Sequence, residues 1–333
     1  FVEMAKEYRR DLKNDYFKNC VNNKIIIEHI ESKNNINSDF LNKTIFYFGQ
    51  MGTTGFAEVI NNNIYILKLL GFDISFEIAR TINLNYDDMN NIKNAIQLDC
   101  INKFDGNSAD FIIYHDSVAD LNNFATKYPN KKIIVFIHWE TDKLPENWKY
   151  NLENHADIVI YASSLNYINN TVKTKCNFIE CFIDTNIKSI PKTMNEKLTE
   201  FSKYKIKFYF IGQWNFRKDI IRLINIYKET FSNNYDVCLF IKTFHGCPSK
   251  YDLTEFENSN PRIIIDTSLY SESEMDTIYQ IGDCFINCSH NEDPGLSVIM
   301  SSITTDLISM NVGGHTDYIY DYIKLENNTL QKI

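Results

Sequence analysis

Residues Thr44–Gly55 read TIFYFGQMGTTG: an apolar run from Thr44 to Phe48, then Gly49, Gly52 and Gly55 in quick succession. The run predicts a core strand over Thr44–Phe48, and the glycines predict a tight loop after it. The residues that follow predict a helix with Phe56, Ile60, Leu67 and Leu70 on its buried side and Gly71 closing its C-terminal end. A strand, a glycine loop and a helix start place free backbone N–H groups and the positive end of the helix dipole at one point, where a phosphate is the natural guest. The spacing matches neither the Walker A pattern nor GxGxxG. Two readings therefore stand side by side, a phosphate loop and a plain tight βα turn.

The same grammar repeats outward from this stretch. Further strands are predicted at Asp73–Glu77, Phe111–His115, Lys132–Ile137 and Asp157–Ala162. After a segment from Asp184 to Lys197 that contains Pro191, a second series follows at Lys207–Ile211, Val237–Lys242, Ile263–Asp266, Asp283–Asn287 and Asp306–Ser309. Near-continuous Ile, Val and Phe runs suit parallel strands covered on both faces. A helix is predicted from Arg217 to Phe231, with Ile220, Ile224, Tyr227 and Phe231 on one stripe and Leu223 beside it. The reading is an α/β chain of two Rossmann-like domains, residues 42–185 and 186–333, preceded by a helical or linker extension over residues 1–41. Its 333 residues exceed the usual size of one hydrophobic core.

Composition narrows the partners. A net charge of −9 argues against a nucleic-acid backbone, and no apolar run approaches the roughly 20 residues that cross a bilayer. The eight cysteines are scattered, with no CxxC pair beside a histidine cluster, so they predict buried thiols and a reducing, cytoplasmic setting. Asp87-Asp88, in a polar stretch, does not make a convincing metal motif. The chain opens on Phe1, which suggests a piece of a longer, multidomain protein.

Two further strand ends hold the chemistry. Ile211–Asp219 (IGQWNFRKD) sets Arg217 and Lys218 together at the predicted helix start, where cations oppose the dipole. A bound anion would relieve that conflict, and solvated surface charge is the other reading. Asn287–Met300 (NCSHNEDPGLSVIM) runs from a strand through an acidic loop to Pro294, expected in the first turn of a new helix. Glu292 and Asp293 then serve either as charge complements to that helix or, for Glu292, as acceptor of hydrogen bonds from sugar hydroxyls.

In this order and spacing, the three stretches resemble the retaining, nucleotide-sugar-dependent GT-B glycosyltransferases. The likeness runs from about Thr44 to Tyr320, and His138-Trp139-Glu140, Leu144–Trp148, Ala156–Val159 and Val312–Asp317 agree with it. The resemblance implies a GT-B fold and transfer of a hexose-type sugar from a UDP- or GDP-linked donor to a glycan or other hydroxyl. It implies retention and no metal or other cofactor. By position, Glu292 matches the first glutamate of the family's Glu-x7-Glu motif, and His138 lies where a histidine faces the reacting sugar. Lys218 matches the lysine on the donor diphosphate, with Arg217 beside it. Gly52 and Gly55 match the phosphate-facing loop of the first domain, Gly295 and Leu296 match backbone positions near the donor, and Gly314 lies in the closing diglycine loop.

Three departures accompany the likeness. Met300 stands where the second glutamate holds the ribose, and a thioether accepts hydrogen bonds weakly. Gln213 replaces an arginine of the phosphate loop, and the chain ends soon after the diglycine, leaving the second domain short. A degenerate GT-B domain that binds without turnover is the rival reading; an epimerase and a phosphorylase are others on the same fold. The sequence alone leads one to expect that Glu292→Ala abolishes transfer with folding nearly unchanged.

Overall fold

The computed structural model describes residues 43–52, 54–82, 99–179, 181, 190–191, 194–232, 234–243, 263–319 and 323–325. The predicted extension over residues 1–41, Asp87-Asp88, Cys20, Cys247 and much of the Asp184–Lys197 segment lie outside them. The described chain divides into two compact units. One comprises residues up to Phe136 with Tyr150–Val159, and the other Ile137–Lys149 with residues from Ile160 onward.

Both predicted strand series form. Strands β1 (Thr44–Gly52), β2 (Asp73–Ile82), β3 (Phe111–His115), β4 (Ile133–Ile137), β5 (Ile158–Tyr161) and β6 (Lys175–Phe178) make a six-stranded sheet in the order β2-β1-β3-β4-β5-β6. Strands β7 (Ile206–Ile211), β8 (Val237–Lys242), β9 (Ile263–Asp266), β10 (Cys284–Asn287), β11 (Asp306–Met310) and β12 (Ile323–Leu325) make the second, in the order β12-β11-β10-β7-β8-β9. The pairings of β1 with β2 and β3, and of β7 with β8 and β10, are parallel. In each sheet the first strand of its series therefore sits inside, with its successors wound off to both sides. That reversal of strand order opens a crevice at the carboxyl ends, the usual ligand position of an open α/β sheet.

Alternation along the strands builds the second unit's core on both faces of its sheet. Tyr209, Cys238, Phe240, Ile264 and Phe285 face one way, against Leu198, Phe201, Ile278 and Val298. Phe210, Leu239, Ile241, Ile263 and Ile265 face the other, against Ile220, Leu223, Ile224 and Tyr227. Each large apolar side chain buried here contributes about 1.5–3 kcal/mol relative to exposure. Among the described cysteines, Cys100, Cys181 and Cys238 are buried and Cys176, Cys284 and Cys288 half-buried.

Local details depart from expectation in three places. Helix α1 spans Gly55–Leu69, and its buried face is Ala57, Ile60 and Ile64 rather than Phe56, Leu67 and Leu70. Gly71 does close it, with φ 89°. Strand β1 runs on through Gly52, and Thr54 already caps the helix that begins at Gly55, so the expected glycine loop is shorter than predicted. Finally, β2 carries one extra residue where Gly49 pairs with Ile78 but Gln50 with Arg80. The bulge brings Arg80 onto the face of Gln50, and both reach the Asp116 carboxylate, at 2.5 and 2.9 Å.

Thr54 caps α1 through its hydroxyl, which accepts from the Ala57 N–H at 3.2 Å. Thr54→Ala is expected to lower stability by about 1 kcal/mol. Urea unfolding followed by circular dichroism measures it, and an unchanged midpoint would rule the cap out as a contributor.

Candidate functional site

The site of the second unit is assembled where β7 and β10 end side by side. After β7 the chain does not enter an α-helix at Arg217, as the periodicity predicts. Phe216–Lys218 form a 3-10 turn, Asp219 adopts a left-handed conformation with φ 50°, and the helix begins at Ile220, running to Phe231. Asn215 caps the turn by accepting from the Lys218 N–H at 3.0 Å. The two cations therefore stand on a separate turn outside the α-helix, and carboxylates answer their charge.

After β10, residues 288–295 form the loop that meets this turn. Two hydrogen bonds lace the two together: the His290 N–H donates to the Arg217 carbonyl at 2.8 Å, and the Arg217 side-chain Nη1 donates to the Asn291 carbonyl at 2.7 Å. Pro294 does not open the next helix as expected. It precedes Gly295, which has φ 78°, and helix α8 begins at Leu296 and ends at Thr304. A Cβ on Gly295 would lie 2.9 Å from the Glu292 Cβ, so glycine there admits both the left-handed backbone and the Glu292 side chain.

Glu292 is buried rather than a surface complement to the helix. Its carboxylate pairs with the Lys218 Nζ on one oxygen and with Arg217 Nη1 at 3.1 Å on the other. Burial by itself pushes this carboxyl up, but Lys218 and then Arg217 outweigh it and hold it at about 2. It is an anion throughout the physiological range.

The diglycine packs onto this loop from the far side. Gly313 has φ 108°, and a Cβ there would meet the Asn291 Oδ1 at 2.3 Å and the Glu292 backbone at 2.8 Å. The Gly314 N–H donates to the Glu292 carbonyl at 2.6 Å. Gly314 also opens a 3-10 turn to Asp317 that carries His315, whose Nε2 lies 3.0 Å from both the Ser309 Oγ and the Met310 carbonyl. The glycine pair thus has a steric cause here: a Cβ at Gly313 would collide with the Glu292 backbone that presents the carboxylate to its cations.

Residues 137–149, in the same unit, add a second carboxylate and a clamp. Glu140 Oε1 lies 2.8 Å from Arg217 Nη2, so Arg217 bridges Glu140 and Glu292. The Trp139 N–H donates to Asp293 Oδ2 at 2.8 Å, and the Trp139 carbonyl accepts from the Asn166 amide at 2.5 Å. His138 is half-buried with its Nδ1 enclosed. Burial pushes its imidazole down to about 4, against the pull of a hydrogen bond to the Asp293 backbone. His138 is therefore neutral near pH 7. Asp293 goes the opposite way from Glu292: burial pushes its carboxyl up to about 7, although hydrogen bonds from Ser163, Trp139 and Asn166 favour the ionised form.

Of the residues singled out by sequence, Glu292, Arg217, Lys218, Gly295, Gly314 and His138 come together in the second unit, with Leu296 as the first residue of α8. Gly52 and Gly55 belong to the first unit, at the last position of β1 and the first of α1. Met300, on α8, packs against the apolar cluster around Tyr209 and Phe240. Glu140 and Asp293 were missed as site residues. No periodicity marks them, since each owes its role to a contact across more than 70 residues of sequence.

No protein-family model matches the chain, and no curated protein matches it either. Similar solved structures exist. The Anabaena HepE protein in complex with UDP-glucose aligns with a TM-score of 0.61 at 11% identity, over 86% of each chain. A glycosyltransferase from Rickettsia africae aligns with a TM-score of 0.58 at 16% identity, over 86% of this chain and 85% of that one. TarM aligns with a TM-score of 0.50 at 18% identity, over 66% of this chain, which spans only 45% of the TarM chain. At such identities the likeness is one of fold, and the two-sheet α/β architecture of this chain is the GT-B fold.

Proposed function

We propose that the chain is a glycosyltransferase that moves a hexose-type sugar from a nucleoside-diphosphate sugar to a hydroxyl acceptor, with retention and without a metal. The observation that supports it best is the buried Glu292 carboxylate seated between Lys218 and Arg217 at the switch point of the second sheet. In the transfer, the bond from the sugar's anomeric carbon to the donor phosphate breaks and one to the acceptor oxygen forms. The acceptor proton leaves with the diphosphate. Lys218 and Arg217 stabilise the charge developing on that diphosphate. Glu292 accepts hydrogen bonds from the sugar hydroxyls, with the backbone at Gly295, Leu296 and Gly314 beside it. Neutral His138 positions the reacting sugar. On this reading residues 186–333 are the donor side and residues 42–185 the acceptor side.

Thermal unfolding against UDP, GDP, ADP and their sugar conjugates, without added metal, tests the reading. A ligand at about a hundred times its Kd stabilises the fold by about 2.7 kcal/mol, a rise of several degrees in midpoint. One base is expected to give that rise. A flat response to every nucleotide at millimolar concentration would sink the proposal.

One observation favours a second reading, a GT-B domain that binds without turnover. Met300 stands at the position of the family's ribose-holding glutamate, and here it is committed to the apolar core. Binding of a nucleotide-sugar with no release of nucleoside diphosphate in the presence of any acceptor would select this reading.

A further inference from the structure

The cations assigned to the donor diphosphate are already neutralised. Lys218 and Arg217 face two carboxylates, Glu292 and Glu140, so the cluster sums to zero before any ligand arrives. The two carboxylates are not equivalent. The Glu292 side chain is only 5% exposed and engages both cations, whereas that of Glu140 is 40% exposed and engages Arg217 Nη2 alone among the ion pairs of the described residues. The Arg217 fork is divided accordingly. Nη1 points inward to the Asn291 carbonyl and Glu292, and Nη2 points outward to Glu140.

Glu140 is set in place by its neighbour. Trp139 is bonded at its N–H to Asp293 and at its carbonyl to Asn166, its indole N–H donates to the Lys143 carbonyl at 2.9 Å, and its ring packs on Trp148 at 4.7 Å. The backbone that delivers Glu140 is thus held, while its side chain, 40% exposed, reaches solvent beyond Arg217 Nη2.

We propose that Glu140 sets the affinity of this site by occupying Arg217 Nη2 in competition with the anionic ligand, and that a nucleoside diphosphate displaces it. This rests on the reading above, in which Arg217 and Lys218 receive the diphosphate. A diphosphate brings more charge and more acceptor oxygens than one carboxylate, so it wins the outward half of the fork. Glu292, buried and doubly paired, stays. A ligand with a single weak negative charge does not displace Glu140, and the site thereby discriminates diphosphates from monoanions.

The experiment is titration calorimetry of UDP, GDP and ADP into the wild-type chain and E140Q at moderate ionic strength. The amide keeps the size of the side chain and drops its charge, and the nucleotide that binds is expected to bind E140Q about fivefold more tightly. In an Arg217→Gln background the same Glu140→Gln change is expected to have no effect, because the competition acts through Arg217. Unchanged or weaker nucleotide binding by E140Q overturns the proposal while leaving the glycosyltransferase reading in place, since Glu140 would then contact the ligand or be idle. If no nucleotide binds either protein, the glycosyltransferase reading fails, and inorganic pyrophosphate decides on Glu140 alone. Tighter pyrophosphate binding by E140Q than by wild type upholds the competition, and equal binding overturns it.

Discussion

Glu292→Gln is expected to destabilise the chain by about 3–5 kcal/mol, because it removes one partner of a buried ion-pair cluster and leaves Lys218 facing a neutral amide. This revises the expectation from sequence that folding survives loss of Glu292 nearly unchanged. The penalty belongs to the uncompensated ammonium, so a second change tests its origin: Lys218→Met in the Glu292→Gln background should restore much of the loss. The pH dependence has a definite sign. The folded carboxyl is held at about 2, below its ordinary value of 4.5, so its stabilisation is fully present above about 4.5 and lost as pH falls through 2. Denaturant unfolding at pH 7 measures the first effect. A variant within about 1 kcal/mol of wild type would show that the pairing contributes little. On the proposed function, transfer also falls at least about a hundredfold, since a donor-orienting anion and the set of its two cations are lost together.

The second large effect is expected at Asp293, and it runs the other way with pH. Burial raises this carboxyl from 3.8 to about 7, so the folded chain prefers it protonated. Its contribution is most favourable below about 4, declines as the unfolded chain ionises, and levels off above 7. The interval of about three pH units corresponds to about 4 kcal/mol. Asp293→Asn keeps an oxygen for the Trp139 N–H and removes the titration. Its stability relative to wild type should therefore climb by about 4 kcal/mol between pH 4 and pH 8. Thermal or denaturant unfolding across that range reads it directly. Parallel pH profiles for the two proteins would show that Asp293 ionises in the folded chain as it does in the unfolded one.

The neighbouring carboxyls 292 and 293 show what each level of description can reach. Both are plain acidic residues in an acidic loop when read as sequence. One is pushed down because Lys218 and Arg217 outweigh the burial of Glu292, and the other up because the neutral donors around Asp293, a backbone N–H, a hydroxyl and an amide, do not outweigh its burial. Opposite environments for adjacent carboxyls arise from residues contributed by distant strand ends, which no local pattern records. The cation turn makes the same point. Periodicity extended the helix back to Arg217, but Asp219 breaks it with a left-handed backbone, and the cations gain a turn of their own.

The sequence by itself determined ten of the twelve described strands and their division into two series, because burial on both faces of a parallel sheet demands unbroken apolar runs of a length visible in one dimension; the short β6 and β12 lack such runs. Phe111–His115, Val237–Lys242 and Ile263–Asp266 are delimited correctly to the residue for that reason. It also marked the strand ends that hold Lys218 and Glu292. Only the tertiary structure decided the strand order that sets β7 beside β10, and with it the neutral cluster of Arg217, Lys218, Glu292 and Glu140. Charge pairing depends on distances of a few ångströms between residues more than 70 positions apart, and such distances exist only once the sheet has closed its order.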